Sequence, residues 1–189
     1  MKKVLIVHCW SGYPEYCWYP WVKTELTKRG FQVDVPTFPN TDFPNLSKWL
    51  PVLKEKIGNP NEDTCLIGHS IGCATILRYL ESLNEGEKVG GVVLVAGFTD
   101  NLNFEELKNF FETDLDFERI KSKANHFSLI HSDNDPYVPL KYGNILKEKL
   151  GAELIIKHNA GHFSGPVDKE DSCLELPEVL ESIDKMIKI

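Results

Sequence analysis

Short apolar runs alternate along the chain with longer stretches in which apolar residues recur at the helical period. The apolar runs predict six strands, each bounded by turn-forming residues. These strands are Val4–Val7, Gln32–Val35, Thr64–Gly68, Val89–Ala96, Phe127–His131 and Glu153–Lys157. The continuous apolar run Val92–Val95 indicates that the fourth strand is buried on both faces.

The stretches between the strands predict helices. Full-length helices are expected at Trp18–Arg29, Asn45–Ile57, Ser70–Leu83, Leu140–Leu150 and Pro177–Ile187, and short helical pieces at Leu102–Phe111 and Phe117–Lys123. Either Asn45 or Ser47 is suited to cap the second helix. This alternation is typical of a parallel sheet with helices on both faces, joined by right-handed crossovers. We therefore expect residues 1–189 to form one α/β domain, a three-layer sandwich around a six-stranded parallel sheet.

The sequence Gly68-His69-Ser70-Ile71-Gly72 joins the third predicted strand to the third predicted helix. It matches the G-x-S-x-G pattern of a nucleophile elbow, in which a serine lies at a sharp, strained turn flanked by small residues. The helix that follows would direct backbone N–H groups and the positive end of its dipole towards the serine. We therefore predict that Ser70 is a catalytic nucleophile.

A serine hydroxyl is a poor nucleophile until a neighbouring base accepts its proton. The carboxyl ends of the last two predicted strands supply the candidates, because open α/β sheets place their sites there. Asp133 and Asp135 follow the fifth strand, and His158 and His162 follow the sixth. We favour Asp135, which the next residue, a proline, holds extended, and His162, whose loop contains a glycine. The resulting order Ser, Asp, His is that of α/β-hydrolases.

Two backbone N–H donors are needed to stabilise the oxyanion of an acyl-transfer reaction. We expect one from Ile71, directly after the serine, and one from Trp10, in the loop after the first strand. Four further residues are candidates for the substrate pocket, namely His8, Ser11, His69 and Trp18. The two histidines among them are also explained as hydrogen-bonding residues behind the site, and the tryptophan as core packing.

Composition and charge argue against several classes of function. The formal net charge is −7 and no run of Lys or Arg occurs, so nucleic-acid binding is not expected. No stretch approaches the ~20 apolar residues of a membrane span. The five cysteines are odd in number and scattered, which is typical of thiols in a reducing cytoplasm. Neither C-x-x-C nor H-E-x-x-H occurs, so we expect no metal and no cofactor.

With these residues in place, the chain resembles the RBBP9/YdeN family of small serine hydrolases with the α/β-hydrolase fold. The resemblance covers nearly the whole chain. It rests on a histidine-containing loop after the first strand and on the segments Trp18–Lys23, Gly68–Gly72, Asp135–Pro139 and Gly161–Phe163. It implies that Ser70, Asp135 and His162 form a catalytic triad. It also implies a compact hydrolase with little or no lid, residues 97–125 forming only a modest cap.

One departure from the resemblance concerns protein partners. Relatives that bind a retinoblastoma-type pocket protein carry an L-x-C-x-E motif. The nearest string here is Asp171–Glu175, which has Asp where the motif has Leu, so pocket-protein binding is not expected.

The residues together predict a serine hydrolase that cleaves small, short-acyl carboxylic esters through an acyl-enzyme. Two alternatives remain open from the sequence. One is an amidase or peptidase with the same three side chains. The other is a binding protein that has a hydrolase fold and little turnover, since fold alone does not fix function.

Overall fold

Parallel strands form one central sheet. The structure is a computed structural model and describes residues 2–164 and 173–187. The strands in these residues are β1 (Lys3–Val7), β2 (Gln32–Asp34), β3 (Thr64–His69), β4 (Val89–Val95), β5 (Ala124–Ser132) and β6 (Glu153–Lys157). Their order across the sheet is β2-β1-β3-β4-β5-β6, and every neighbouring pair is parallel. The six-stranded parallel sheet that the sequence predicts is therefore confirmed.

Helices cover both faces of this sheet. The helices are α1 (Tyr19–Lys28), α2 (Leu46–Ile57), α3 (Ile71–Glu81), α4 (Phe117–Ser122), α5 (Lys141–Leu150) and α6 (Pro177–Ile187). The first and last pack on one face, and α2 to α5 pack on the other. Asn45 caps α2, since its side chain accepts a hydrogen bond from the Ser47 N–H at 2.9 Å. The layers are those of an α/β-hydrolase.

The two central strands, β3 and β4, are buried at every residue, because helices cover both of their faces. All strands run in the same direction, so the loops that follow them emerge at one edge of the sheet. The loops after β1, β3, β5 and β6 carry the residues singled out by the sequence. The fold therefore brings residues that are far apart in the chain to the same edge.

The strand that departs most from its predicted bounds is β5. β5 begins at Ala124 rather than at Phe127. Its first residues are polar or small, so the sequence gives no apolar run there, but Ala124 pairs in register with Val89 of β4. Pairing with a neighbouring strand, which no local pattern reports, sets this boundary.

The short helical piece predicted at Leu102–Phe111 is also corrected. Leu102 and Asn103 have φ angles of +52° and +63°, which a right-handed helix excludes. A 3₁₀ helix spans only Glu105–Phe110. This helix and α4 make up the modest cap between β4 and β5, and the buried Arg78 of α3 holds the cap by donating to the Phe110 carbonyl at 2.8 Å.

Within residues 2–164 and 173–187, no helix has both the length and the apolar character required to cross a membrane. The five cysteines lie within these residues, and none of them forms a disulfide. The string Asp171–Glu175 begins outside the described residues, which resume at Cys173.

Candidate active site

Ser70 lies at the sharp turn between β3 and α3. Its φ and ψ angles are 55° and −120°, a conformation that a non-glycine residue adopts only when its surroundings enforce it. The Ser70 N–H donates to the Val95 carbonyl at 2.9 Å, which fixes the turn against β4. A Cβ atom on Gly72 would lie 2.1 Å from the carbonyl oxygen of Val7, and one on Gly68 would lie 2.8 Å from the Cys73 backbone. The two glycines of the motif are therefore required by close approach of backbone segments.

His162 is hydrogen-bonded to Asp135 in the neighbouring loop. The distance from His162 Nδ1 to Asp135 Oδ2 is 2.8 Å, and the two side chains are only 8% and 1% exposed. The other carboxylate oxygen, Oδ1, accepts from the backbone N–H groups of Tyr137 and Val138, each at 2.9 Å. Because an ionised carboxylate can only accept, Nδ1 carries the proton of the neutral imidazole, and the basic lone pair is on Nε2.

The alternative acid and base, Asp133 and His158, pair with each other instead. His158 Nδ1 lies 2.6 Å from Asp133 Oδ2, and the His158 side chain is 81% exposed. The Asn159 N–H also donates to Asp133, and this bond, followed by the one from His158, lowers the pKa of the Asp133 carboxyl. The structure thus separates a surface pair from a buried pair, and only the buried pair contains a residue that lines the cavity described next.

A cavity of about 300 Å³ opens above Ser70. Ser70, Ile71 and His162 line it together with Trp10 and Ser11. Apolar residues, mostly from the cap, cover much of the remaining wall: Phe98, Leu102, Phe104, Leu107 and Val138. No Asp, Glu, Lys or Arg is among the described residues that line the cavity. The space next to the serine therefore suits a small, uncharged group.

The loop of residues 8–12, named here the oxyanion loop, has most of its backbone N–H groups engaged. The N–H groups of Cys9, Ser11 and Gly12 donate to Tyr19 Oη at 3.0 Å, to the Thr41 carbonyl at 2.9 Å and to the Cys9 carbonyl at 3.0 Å. Among the described residues, no acceptor is found for the N–H of Trp10 or for that of Ile71. Both residues line the cavity.

Three of the four residues expected in the pocket lie behind its wall. His8, His69 and Trp18 are fully buried and do not line the cavity, whereas Ser11 does. His8 is held by the Cys9 carbonyl, 2.9 Å from Nδ1, and burial lowers the pKa of its imidazole. Trp18 packs edge-on against Tyr19, with ring centroids 4.6 Å apart. These placements correct the sequence-based expectation, because the sequence does not say which side chains of the strand ends and loops face the cavity.

His69, the residue before Ser70, connects two parts of the site. Its Nδ1 lies 2.7 Å from the Tyr19 hydroxyl, and its Nε2 lies 2.7 Å from the carbonyl oxygen of His162. Burial, followed by the charge of His162, lowers the pKa of His69 to about 3, so the ring is neutral. Sequence reasoning missed the part that Tyr19 takes in this arrangement. The aromatic residues near Trp18 were visible, but nothing in the sequence indicates where the hydroxyl of Tyr19 points.

Two polar residues of the cavity wall, Tyr137 and Ser164, were also missed. Both follow a predicted site residue by two positions, Asp135 and His162 respectively. Proximity in the chain was the only available signal for them. Within the described residues, no group of three or more His, Cys, Asp and Glu side chains is arranged to hold a metal ion.

Comparison with known proteins shows the family of this chain. The model of the serine hydrolase family matches residues 4–179. The chain is 34% identical to the protein YdeN of Bacillus subtilis (strain 168) over 163 residues. The aligned region covers 86% of each chain. It is 30% identical to Serine hydrolase RBBP9 of Rattus norvegicus over 149 residues, and the aligned region covers 77% of each chain.

Solved structures show the same relationship. The crystal structure of the ydeN gene product from B. subtilis matches with a TM-score of 0.93 and 32% identity, covering 100% of both chains. A carboxylesterase structure from Nitrososphaera gargenis matches with a TM-score of 0.70 and 13% identity, covering 99% of this chain and 90% of that one. At that identity the second likeness shows the fold alone. The family match and the two relatives establish that this chain belongs to the serine hydrolase family.

Proposed function

We propose that this serine hydrolase cleaves small, uncharged carboxylic esters, with Ser70 as nucleophile, His162 as general base and acid, and Asp135 as the residue that orients the imidazole. The observation that carries the proposal is the buried His162–Asp135 pair, 2.8 Å apart, beside the cavity that Ser70 lines. The strained turn at Ser70 supports it, since strain of this kind persists at functional sites.

The reaction follows from these placements. His162 Nε2 accepts the proton of the Ser70 hydroxyl as the serine oxygen attacks the ester carbonyl. The negative oxygen that forms accepts from the N–H groups of Trp10 and Ile71, at the positive end of the α3 dipole. The C–O bond to the alcohol breaks, and His162 returns the proton to the departing alkoxide. Water then attacks the acyl-enzyme with the same base and releases the carboxylic acid.

Asp135 has a supporting part in this scheme. It keeps the proton of the neutral imidazole on Nδ1 and stabilises the imidazolium that forms, without taking the proton itself. Its second oxygen is occupied by two backbone N–H groups, which fix the carboxylate in place. This arrangement supports Asp135 over Asp133 as the orienting residue.

The cavity supports a short acyl group. Its volume of about 300 Å³ lies at the lower end of the roughly 300–1,000 Å³ of small-molecule sites. In a series of p-nitrophenyl esters, we expect kcat/KM to be highest for short acyl chains. It should fall once the acyl chain is longer than the apolar wall of the cavity. A matched amide series tests the amidase alternative, since equal kcat/KM for esters and amides would contradict the ester assignment.

The assignment of residues is tested by two variants and one control. We expect Ser70→Ala to abolish turnover of a p-nitrophenyl ester above the uncatalysed rate, and Asp135→Asn to lower kcat by about 10⁴-fold because the wrong tautomer is favoured. Asp133→Asn is the matched control, since that carboxylate pairs with the exposed His158, and its kcat should stay near wild type. Full activity of Ser70→Ala, or a larger loss in the Asp133 variant than in the Asp135 variant, would overturn the proposal.

A further inference from the structure

Three separate parts of the site are joined by one set of buried hydrogen bonds through Tyr19 and His69. The Cys9 N–H donates to Tyr19 Oη at 3.0 Å, Tyr19 Oη lies 2.7 Å from His69 Nδ1, and His69 Nε2 lies 2.7 Å from the carbonyl of His162. The set therefore runs from the oxyanion loop, through the residue before the nucleophile, to the loop that carries the base. We propose that Tyr19 and His69, named here the Tyr19–His69 bridge, are positioning residues that fix the oxyanion donors and the base relative to Ser70. The inference rests on the proposed function.

The direction of each hydrogen bond in the bridge is determined by chemistry. The carbonyl of His162 can only accept, so His69 Nε2 carries the proton. A neutral His69 then has an unprotonated Nδ1, which accepts from the Tyr19 hydroxyl. The same hydroxyl oxygen accepts from the Cys9 N–H. Every polar group of the Tyr19–His69 bridge is thus satisfied in one arrangement of protons, which is what a rigid buried network requires.

At the oxyanion loop, the bridge acts on the residue before the expected donor. The carbonyl of Cys9 and the N–H of Trp10 belong to the same planar peptide unit, so the orientation of one sets that of the other. That carbonyl is held by His8 Nδ1 at 2.9 Å and by the Gly12 N–H at 3.0 Å. The Tyr19 hydroxyl holds the N–H of Cys9 on its other side. Rotation of Cys9 would therefore turn the Trp10 N–H away from the cavity, and Tyr19 opposes that rotation.

At the other end, the bridge holds the backbone of the base. The next residue, Phe163, has a φ of +56°, which is strained for a bulky side chain and needs external support. The His162 carbonyl belongs to the peptide that joins His162 to Phe163. The hydrogen bond from His69 to this carbonyl therefore supports the backbone at the strained residue. Ser70 directly follows His69 in the chain. The bridge therefore fixes the positions of both the oxyanion loop and the loop that carries His162 relative to Ser70.

A positioning role differs from a purely structural one in its kinetic effect. Loss of a buried hydrogen bond lowers stability in either case. Only a positioning role predicts that the folded variant is slower, since a displacement of about 1 Å in a catalytic group can cost up to about 10²-fold in rate. Substrate binding to the apolar wall should be little affected, because neither bridge residue lines the cavity.

The test compares Tyr19→Phe with Tyr79→Phe. Tyr79 is also buried, and its hydroxyl has no hydrogen-bond partner among the described residues, so its removal controls for loss of a buried hydroxyl. With a short p-nitrophenyl ester, at a temperature where both variants are fully folded by circular dichroism, we expect kcat of Tyr19→Phe to fall about 10- to 100-fold with KM changed less than about threefold. We expect Tyr79→Phe to keep the wild-type kcat. Equal kcat in both variants would overturn the inference, whatever their melting temperatures.

A second pair of variants tests the histidine. Gln offers one N–H donor and one oxygen acceptor on a planar group, as neutral His does, whereas Leu offers neither. We expect His69→Gln to retain most of the wild-type kcat and His69→Leu to lose about as much as Tyr19→Phe. If His69→Leu does not fold, equal kcat of His69→Gln, Tyr19→Phe and wild type still overturns the inference. Failure of the proposed function is distinguishable, because wild type itself would then show no turnover above Ser70→Ala.

Discussion

At the scale of single residues, burial of neutral histidines is a recurring feature of this chain. His8, His69 and His131 are fully buried. Burial, the largest cause in each case, lowers the pKa of all three, to about 3 for His69 and about 4 for His131. The first two are hydrogen-bonded, but neither ring nitrogen of His131 has a hydrogen-bond partner among the described residues. His131 is therefore a source of instability beside the site.

These shifts predict the pH dependence of stability. In the unfolded chain a histidine titrates near 6.5, so below that pH the unfolded state binds protons that the folded state does not. Stability is therefore complete above pH 6.5 and is lost as the pH falls towards the folded pKa values, about 3 for His69 and about 4 for His131. From pH 8 to pH 5 each of these two residues should lower the free energy of unfolding by about 2 kcal/mol.

We predict that His131→Met flattens this dependence. Met fills an irregular space of similar volume, and replacing an unpaired buried imidazole removes the cost of burying its polar atoms. Urea unfolding at pH 8 and pH 5 should show a variant at least as stable as wild type at pH 8, with a loss at pH 5 that is smaller by about 2 kcal/mol. A variant with the same pH slope as wild type would show that His131 is not neutral in the folded state.

At the scale of residues, the sequence predicts which loops supply the site but not the direction of each side chain. The loops that could supply a base and an acid were identifiable because strand order and chain direction bring them to one edge. The pairing of His158 with Asp133 on the surface, and of His162 with Asp135 in the interior, depends on side-chain direction and needed the structure. The sequence left open whether His8 and His69 line the pocket or lie behind it, and the structure places both behind it.

At the scale of elements, the turn from β3 to α3 is determined by contact with β1. Alanine has a higher helix propensity than glycine by about 1 kcal/mol, so Gly72, inside α3, is unfavourable for the helix alone. A Cβ at this position would lie 2.1 Å from the carbonyl oxygen of Val7 and 2.8 Å from that of His8. Both are backbone atoms that cannot move without shifting β1, so the close approach outweighs the local preference.

Gly72→Ala should therefore reduce both stability and activity. We expect a cost of about 3 kcal/mol from the forced displacement, partly offset by helix propensity, and a melting temperature lower by roughly 4–8 °C. Below that temperature kcat should fall as well, because Ser70 moves with the start of α3. Gly86→Ala is the control, since Gly86 has a φ of +81° but nothing within 4 Å of its added Cβ, and it should lose some stability while keeping kcat. Normal kcat in the Gly72 variant would contradict the close-approach argument.

Element boundaries were less predictable than element types. The strands and helices were recognisable from apolar periodicity, whereas the order of the strands in the sheet was not predicted from the sequence. The start of β5 depends on pairing between Ala124 and Val89, which are remote in sequence. The late start of the 3₁₀ helix depends on the cap, where the Asp100 carboxylate accepts from both the Leu102 N–H and the Tyr142 hydroxyl. Contacts between residues that are far apart in the chain leave no pattern in the local sequence.

At the scale of the whole molecule, charge is kept out of the cavity. The chain has a formal net charge of −7, yet no Asp, Glu, Lys or Arg is among the described residues that line the space above Ser70. A carboxylate in that space would lose its hydration without gaining a cationic partner. The apolar wall of the cavity and the negative net charge of the chain thus both disfavour an anionic substrate.

We therefore predict discrimination between neutral and anionic esters of equal size. A p-nitrophenyl ester with an unbranched five-carbon acyl chain should be cleaved with a kcat/KM at least about 100-fold higher than the p-nitrophenyl monoester of succinic acid. The difference should persist at high salt, since screening weakens the surface contribution but not the desolvation cost. Comparable kcat/KM for the two esters would show that the cavity provides a cation, and the proposed substrate class would be wrong.

The central claim is that the fold makes the hydroxyl of Ser70 a nucleophile. The most direct measurement is mass spectrometry of the protein after reaction with a fluorophosphonate, which modifies activated serines covalently. Trypsin should release the segment 57–78, which contains Ser70 together with Thr64 and Thr75, and fragmentation should place the phosphonate on Ser70. Labelling should be lost in Ser70→Ala and strongly slowed in His162→Ala. A wild-type protein that remains unlabelled, or a phosphonate on another residue in the native enzyme, would contradict the account.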